Sequence, residues 1–450
     1  MMPTEPWNLA PSESARAAMV APLIARLRAG ECCSVIGVGG MGKSNFARYL
    51  QLDEVRTTHL GDAFWVVLID SNALVIDGHP AEFALLELIV HRLIREAERR
   101  AMPATFVQEL DRFHSGMLAH GGQVLAVRYL ERICARLCGE YGLRVVLIFD
   151  QFEDLWRDLD ARLFLNLRFL RDEFKYRLIY LTITRERLQR ARARGRGDTA
   201  AVEAFWELFE PHVFGLPMYN AADARLMLAR IAERRGATLD DHVITTALFL
   251  SGGHPGLLRA IYWKLVDGAP ADAQALLALP EVAQECAKLW GDLLPEEQQL
   301  VRRLAAGREP GDAETLAELV TTGLVRGDPP ALFTLLFADY VRTRGADAGG
   351  IVVDQRQRQV WVDGRLLQQR LTPLEFSMLV FLAGRAGQVC RREEILAALY
   401  PDESLDVNDD RIDTLLRRLR DALGDDGRSP RHLITHRGVG VRLAEGRLEG

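Results

Sequence analysis

Residues 34–50 read SVIGVGGMGKSNFARYL, and this stretch limits what the chain can fold into more than any other. Gly37, Gly39, Gly40 and Gly42 follow an apolar run that reads as a strand and precede a helical pattern over residues 43–51. Gly37, Gly42, Lys43 and Ser44 satisfy the spacing G-x-x-x-x-G-K-S/T. Backbone N–H groups can surround phosphate oxygens only where side chains are absent and positive φ angles are tolerated, and glycine meets both conditions. The helix that follows directs the positive end of its dipole at the same anion. On this reading Lys43 reaches the β and γ phosphates and the Ser44 hydroxyl ligates Mg²⁺, so Gly37, Gly39, Gly40, Gly42, Lys43, Ser44 and Asn45 form a binding set for ATP or ADP.

A turn of this kind needs a buried strand behind it, and the first half of the chain supplies several. The runs CCSVIG (32–37), AFWVVLID (63–70), VVLIFD (145–150) and RLIYLTIT (177–184) alternate with helical periodicity around 80–98, 122–138 and 158–172. Continuous apolar strands separated by amphipathic helices predict a parallel sheet covered on both faces. From about 220 to 345 the strand pattern vanishes and amphipathic helices are broken by GG, PG and GDPP. ARARGRG (191–197) reads as a mobile loop and RTRGADAGG (342–350) as a linker. Short strands, three helical segments and a terminal hairpin follow it.

At 450 residues the chain is too long for one core. It has no run of about eighteen uncharged apolar residues and no basic flank leading into an apolar stretch at its start, which predicts neither a membrane span nor a secretory signal, hence a cytoplasmic location. Cys32, Cys33, Cys134, Cys138, Cys286 and Cys390 lack paired C-x-x-C spacing, so they read as buried reduced thiols; Cys134 and Cys138, one helical turn apart, read as core. A net charge of -6 does not by itself single out a nucleic-acid binder.

Magnesium at a phosphate site needs an acidic ligand at the end of a neighbouring strand, and Asp150, closing VVLIFD, meets that need. Such an aspartate is also a common helix cap, but beside the glycine turn it reads as a Walker B acid. Gln151 stands where many P-loop ATPases carry glutamate, which predicts slow hydrolysis. Glu153 is read either as the acid that orients the attacking water or as a solvated acid opening a helix. Arg185 ends the fourth strand, as a cation sensing the γ-phosphate or as a surface arginine. The candidate catalytic set is thus Lys43, Asp150, Glu153 and Arg185, with Ser44 and Asp150 as Mg²⁺ ligands.

Taken together, GVGGMGKS, LIFDQFEDL, LTITR and the later Gly253-His254-Pro255 resemble the STAND class of P-loop NTPases, relatives of the NACHT and apoptotic ATPases. The resemblance covers about residues 1–345. It implies an α/β P-loop NTPase domain (1–218) with helices on both faces of a parallel sheet, a helical lid (219–289) that brings Pro255 near the nucleotide base, and a small winged-helix-like domain (290–345). The histidine that contacts phosphate in some relatives has no counterpart in 290–345, which contains no histidine, and His254 reads as a loop residue.

In DRIDTLLRRLRDAL (410–423), a step of about 100° per residue places Ile412, Leu415, Leu416, Leu419 and Leu423 on one stripe and Asp410, Thr414, Arg417, Arg418 and Asp421 opposite. The hairpin THRGVGVRL follows, with Arg437 at its tip. These features fit a helix in the major groove with a wing in the minor groove, or a solvated helix face beside an ordinary hairpin. The order of parts across about 350–445, from LTPLEFSMLVFL to the hairpin, resembles the OmpR/PhoB-type winged-helix DNA-binding domain. The resemblance implies that Arg418 reads bases, Arg417 and Arg420 grip phosphates and Arg437 enters the minor groove, with Arg411 and Thr414 on the same helix. Asp410, Leu415 and Val441 depart from the family pattern, which implies reduced phosphate affinity and suits a protein that binds as an oligomer. No receiver domain with a phosphorylatable aspartate precedes the module.

These readings converge on a nucleotide-switched transcription regulator, in which ATP with Mg²⁺ drives homo-oligomerisation and aligns the C-terminal domains on double-stranded DNA. The alternatives are a DNA-acting ATPase of loader, transposition or origin type, and an immune-type sensor whose winged helix is an anchor. A protein signal partner belongs to the first and third readings.

Overall fold

The computed structural model describes residues 16–75, 78–193, 202–236, 239–347, 350–355, 358–362, 365–367, 369, 371–400, 410–426, 430–436, 439–444 and 446–449. Two compact units divide the chain at Asp339 and Tyr340.

The first unit is built on five parallel strands: β1 (Cys33–Ile36), β2 (Phe64–Asp70), β3 (Arg144–Asp150), β4 (Leu178–Thr184) and β5 (Val213–Gly215). Their order is β2-β3-β4-β1-β5, so β4 lies between the strand that leads into the glycine turn and the strand that ends in Asp150. Every residue of β1 and β4 is buried, the expected consequence of apolar runs with no polar alternation. Helix Ala81–Arg99 lays Leu86, Ile89, Val90 and Leu93 into the core formed with Trp65, Val67, Val145 and Leu147. The register pairs Asp70 with Asp150, Asp150 with Ile183, and Ile36 with Thr184. The carboxyl ends of the strands therefore share one edge, the edge at which ligands sit in open α/β sheets. Gly37 continues the ladder by donating its N–H to Thr184 O at 3.0 Å.

The segment DQFEDLW shows how packing aims a functional group. Phe152 and Trp156, one turn apart, are fully buried with Phe164 and Phe205, and Trp156 Nε1 donates to Leu188 O at 2.6 Å. With those two side chains locked inward, Glu153 emerges from a different side of helix Phe152–Asp158. The expected helix over 122–138 is an α-helix, Gln123–Cys134, continued by a π-helical turn, Ala135–Glu140. All six cysteines are buried free thiols, as the spacing predicts.

After β5 come helices including Ala221–Arg235, Asp241–Ser251, Pro255–Val266 and Pro280–Asp292. The strand pattern does not vanish altogether, because β6 (Val325–Arg326) and β7 (Ala331–Leu332) form a short antiparallel hairpin after helices Pro295–Ala305 and Ala313–Thr321. Two residues per strand are too few to leave a period in the sequence. Nor is 342–350 a linker throughout: helix Leu335–Asp347 occupies most of it, with Leu336, Phe337 and Val341 buried. Residues 194–197 of the expected mobile loop lie outside the described residues.

The second unit contains β8 (Ile351–Asp354), β9 (Gln359–Val362), β10 (Arg365–Leu366), β11 (Val389–Arg391), β12 (Leu433–His436), β13 (Gly440–Leu443) and β14 (Gly446–Glu449). One sheet runs β10-β9-β8-β14 and the other β11-β13-β12. Helix Pro373–Ala383 opens with a capping box between Thr372 and Glu375, and it packs with helices Arg392–Leu399 and Asp410–Leu423 over Met378, Leu379, Ile395, Leu416 and Leu419. No helix among the described residues is long and apolar enough to cross a membrane.

Candidate functional site

The glycine turn has the backbone that the sequence requires. Gly40 and Gly42 have φ of 74° and 78°, angles at which a Cβ is strained. Gly42 caps helix Lys43–Gln51 without a side-chain hydrogen bond, leaving the first N–H groups of the helix for an anion. Lys43 Nζ donates to Gly37 O at 2.7 Å and Val38 O at 3.1 Å. Burial pushes its ammonium below the usual lysine range, while the charge of Glu153 opposes that shift.

Asp150 is 1% exposed. Its Oδ1 accepts the Gln151 N–H at 3.1 Å, and its Oδ2 is buried without a hydrogen-bond partner. Burial raises this carboxyl above the usual aspartate range; the Ser44 hydroxyl opposes the rise, and neighbouring Asp70 adds to it. An unpartnered carboxylate oxygen beside a hydroxyl offers the hard oxygen ligands that Mg²⁺ takes, so the residues present fit that ion.

The opposite wall of the site joins Arg185 and Glu153, both expected, to residues with no sequence assignment, Asp292 and Arg16 among them. Arg185 Nε pairs with Glu153 Oε1 at 3.1 Å, and Arg185 Nη1 pairs with Asp292 Oδ1 at 3.1 Å. Asp292, the last residue of helix Pro280–Asp292, lies so close to the turn that a Cβ at Gly39 would collide with its Oδ2. His254 lies in the loop before helix Pro255–Val266, as expected, but is fully buried there: Nε2 donates to Gly39 O at 2.8 Å and Nδ1 accepts the Leu257 N–H at 3.2 Å, capping that helix. Arg16 donates from Nη2 to Met41 O at 2.7 Å, and its guanidinium covers the Tyr219 ring at 4.6 Å.

A cleft of about 620 Å³ results, within the range of small-ligand sites. Gly39, Gly40, Gly42, Lys43, Ser44, Asn45 and Arg185 line it, as do Gln151, Lys288, Gly291 and Asp292. Gly37 contributes its carbonyl to Lys43, and Asp150 and Glu153 sit behind the lining. Pro255 is buried as the first residue of its helix and is absent from the lining, so the structure does not bring it to the cleft. One signal for Lys288 was available. The chain has four lysines among 56 basic residues, which leaves 52 arginines, and two of those four lysines, Lys43 and Lys288, line this cleft.

In the second unit, helix Asp410–Leu423 buries Ile412, Leu415, Leu416, Leu419 and Leu423 and exposes Asp413, Thr414, Arg417, Arg418 and Asp421. Arg437 and the Arg411 side chain lie outside the described residues. Arg420 takes a bracing position: its guanidinium donates to Leu433 O and, at 2.8 Å, to Thr435 Oγ1. Asp425, which carried no signal in the sequence, is buried and accepts N–H groups from Arg431, His432 and Leu433 at 2.6, 3.1 and 2.8 Å. These contacts hold β12 against the end of the helix, so helix and hairpin form one rigid surface.

Residues 368–443 match the family described as transcriptional regulatory protein, C terminal. The transcriptional regulatory protein AfsQ1 of Streptomyces coelicolor is 36% identical over 102 residues, which are 22% of this chain and 44% of that protein. The chain spans less than half the length of such curated relatives. The crystal structure of the Klebsiella pneumoniae RstA DNA-binding domain in complex with the RstA box shares 32% identity over 22% of this chain and 93% of that one, with a TM-score of 0.20. The Aeropyrum pernix ORC2 protein, solved as ADPNP–ADP complexes, shares 14% identity over 74% of this chain and 94% of its own, with a TM-score of 0.41. The sheet order and the glycine turn describe an α/β fold of P-loop type, and the family match over residues 368–443 places a winged-helix domain of the kind found at the C terminus of transcriptional regulatory proteins after it.

Proposed function

We propose that this chain is a nucleotide-switched transcription regulator of the STAND type, acting in the cytoplasm, in which ATP with Mg²⁺ at the glycine turn governs self-association and thereby DNA binding. The observation that carries the reading is Asp150 Oδ2, a buried carboxylate oxygen without a partner beside Ser44 and Lys43, in a chain that also carries an exposed arginine face on a DNA-binding helix. A bound triphosphate and its metal supply concentrated charge at the turn. With these bound, Lys43 would exchange its two carbonyl partners for phosphate, Ser44 and Asp150 would hold the ion, and Arg185 would leave Asp292. Since Asp292 ends helix Pro280–Asp292, that exchange would reposition the helix. Oligomers then present several DNA-binding domains at once, and tethering raises apparent affinity about 10²- to 10⁴-fold without a new contact. A protein partner that biases the same rearrangement fits as the input signal.

Light scattering coupled to size exclusion, with ADP and with a non-hydrolysable ATP analogue, tests the switch on the full chain. The wild type is expected to grow in mass with the ATP analogue and to bind DNA cooperatively, while Lys43→Ala does neither. Equal mass and equal DNA binding in both proteins would refute it.

A second reading, a DNA-acting ATPase of loader or origin type, draws on Glu153, which lies beside Arg185 at the cleft. It requires brisk DNA-stimulated hydrolysis that Glu153→Gln abolishes. The switch reading instead expects slow turnover and DNA binding retained in that variant. An immune-type sensor with the winged helix as an anchor would show no salt-dependent DNA affinity.

A further inference from the structure

Helices Ala81–Arg99 and Ala104–His120, in the connection between β2 and β3, carry a cluster outside the cleft. Glu87 and His91 are one helical turn apart on the first helix, and His114 stands across from them on the second. The carboxylate oxygen and the two imidazole nitrogens all lie within 4.8 Å of one another. His114 Nε2 and Glu87 Oε1 are 2.6 Å apart, and the His91 and His114 rings are 5.9 Å apart between centroids.

The geometry points to a divalent transition-metal site formed by Glu87, His91 and His114, with zinc as its reference ion. An i, i+4 pair of ligands on one helix face is a recurrent way for a helix to chelate zinc, and a third ligand from a neighbouring helix closes a face of the coordination sphere. Zinc bonds of about 2.0–2.2 Å place neighbouring ligand atoms about 3.4 Å apart in a tetrahedron. Two imidazoles and one carboxylate favour zinc, nickel or copper over magnesium or calcium, whose sites are built from oxygen.

The supporting shell is already rigid. Leu86, Val90 and Leu93 of the first helix and Leu110 and Met117 of the second are buried in the main core, so both backbones are fixed beneath the ligands. His114 Nε2 and Glu87 Oε1 already face each other at 2.6 Å, so two of the three ligand atoms are directed at one point before any ion arrives. Arg95, one turn beyond His91, is engaged by Glu98 at 2.8 Å. Three protein ligands leave the fourth position to water or to an outside ligand, the mark of an exchangeable site rather than a closed structural one. No thiolate competes for the ion, because all six cysteines are buried.

Full-length protein stripped with chelator, without nucleotide, is titrated with Zn²⁺ against a chromogenic chelator. Wild type is expected to take up one equivalent, to gain thermal stability with it, and to give Co²⁺ absorption bands of a nitrogen–oxygen site without thiolate charge transfer. His91→Ala changes an exposed side chain and preserves the fold, and it should weaken binding more than about tenfold and remove the thermal gain. Glu87→Gln should act in the same direction. Zinc uptake unchanged in both variants, or a thiolate signature in the Co²⁺ spectrum, would overturn the assignment.

Discussion

His254 donates Nε2–H to the Gly39 carbonyl at 2.8 Å while its Nδ1 receives the Leu257 N–H, so a single neutral imidazole joins the glycine turn to a helix more than two hundred residues later. Both bonds need the tautomer with the proton on Nε2. Replacing His254 with Ala removes a helix cap and orphans a buried carbonyl, at a cost of about 1–3 kcal/mol in the nucleotide-free protein. Chemical denaturation of wild type and variant measures it, and an unchanged midpoint would contradict the joint.

The same ring predicts a pH dependence. Burial lowers the His254 pKa from 6.5 to about 4, with the Gly39 bond and Glu285 opposing the shift and Arg16 and Lys43 adding to it. The unfolded chain therefore binds the proton first. Stability from this residue is present above pH 6.5 and lost as pH falls toward about 4, by as much as about 3 kcal/mol. The expected signature is a fall in denaturation midpoint across that window that His254→Ala flattens.

Asp150→Asn separates the metal from the fold. Burial raises the wild-type carboxyl above its usual range, so the charge at neutral pH opposes folding, and the neutral amide should raise the melting temperature of the nucleotide-free protein. Nucleotide binding by the variant should lose its dependence on Mg²⁺. A nucleotide titration with and without Mg²⁺ decides it, since a Mg²⁺ effect equal to wild type would remove Asp150 from the ion's ligands.

Asp292 pairs with Arg185 and crowds Gly39, so on the proposed reading it would compete with phosphate for that arginine. Arg185 is 47% exposed, so the pair is screened and contributes only about 0.5–1 kcal/mol. Asp292→Asn should accordingly tighten ATP binding roughly two- to fivefold. Calorimetric titration checks the direction; weaker binding would mean that Asp292 supports the ligand.

On helix Asp410–Leu423, Arg417 and Arg418 are exposed whereas Arg420 braces β12. Arg418→Ala is expected to cost about 1–3 kcal/mol and relax sequence preference, and Arg417→Ala to weaken all sites alike while lowering the salt slope by about 0.9. Arg420→Ala should act first on the melting temperature of the domain. Salt-titrated binding alongside thermal melts distinguishes these roles.

Much of the architecture is local in origin and was therefore legible. The apolar runs at 33–36 and 144–150 are buried strands, the glycine spacing is a tight turn with positive φ at Gly40 and Gly42, and the leucine stripe of 410–423 buries the side that helical geometry selects. The β6–β7 hairpin and the helix over 335–347 were missed because a two-residue strand leaves no period and a run such as RTRGAD has no apolar stripe to announce a helix.

What the amino-acid order determined alone is the glycine turn: Gly37 to Ser44 are consecutive, and their conformation follows from missing side chains and the strand and helix on either side. The tertiary structure decided what faces that turn. His254 reaches Gly39 across 215 positions and Asp292 reaches Arg185 across 107, because a helical segment folds back over the sheet edge. Neither pairing leaves a spacing to read, since burial and charge complementarity are properties of surfaces brought together in space, whereas a turn or a helix stripe is written in neighbouring residues.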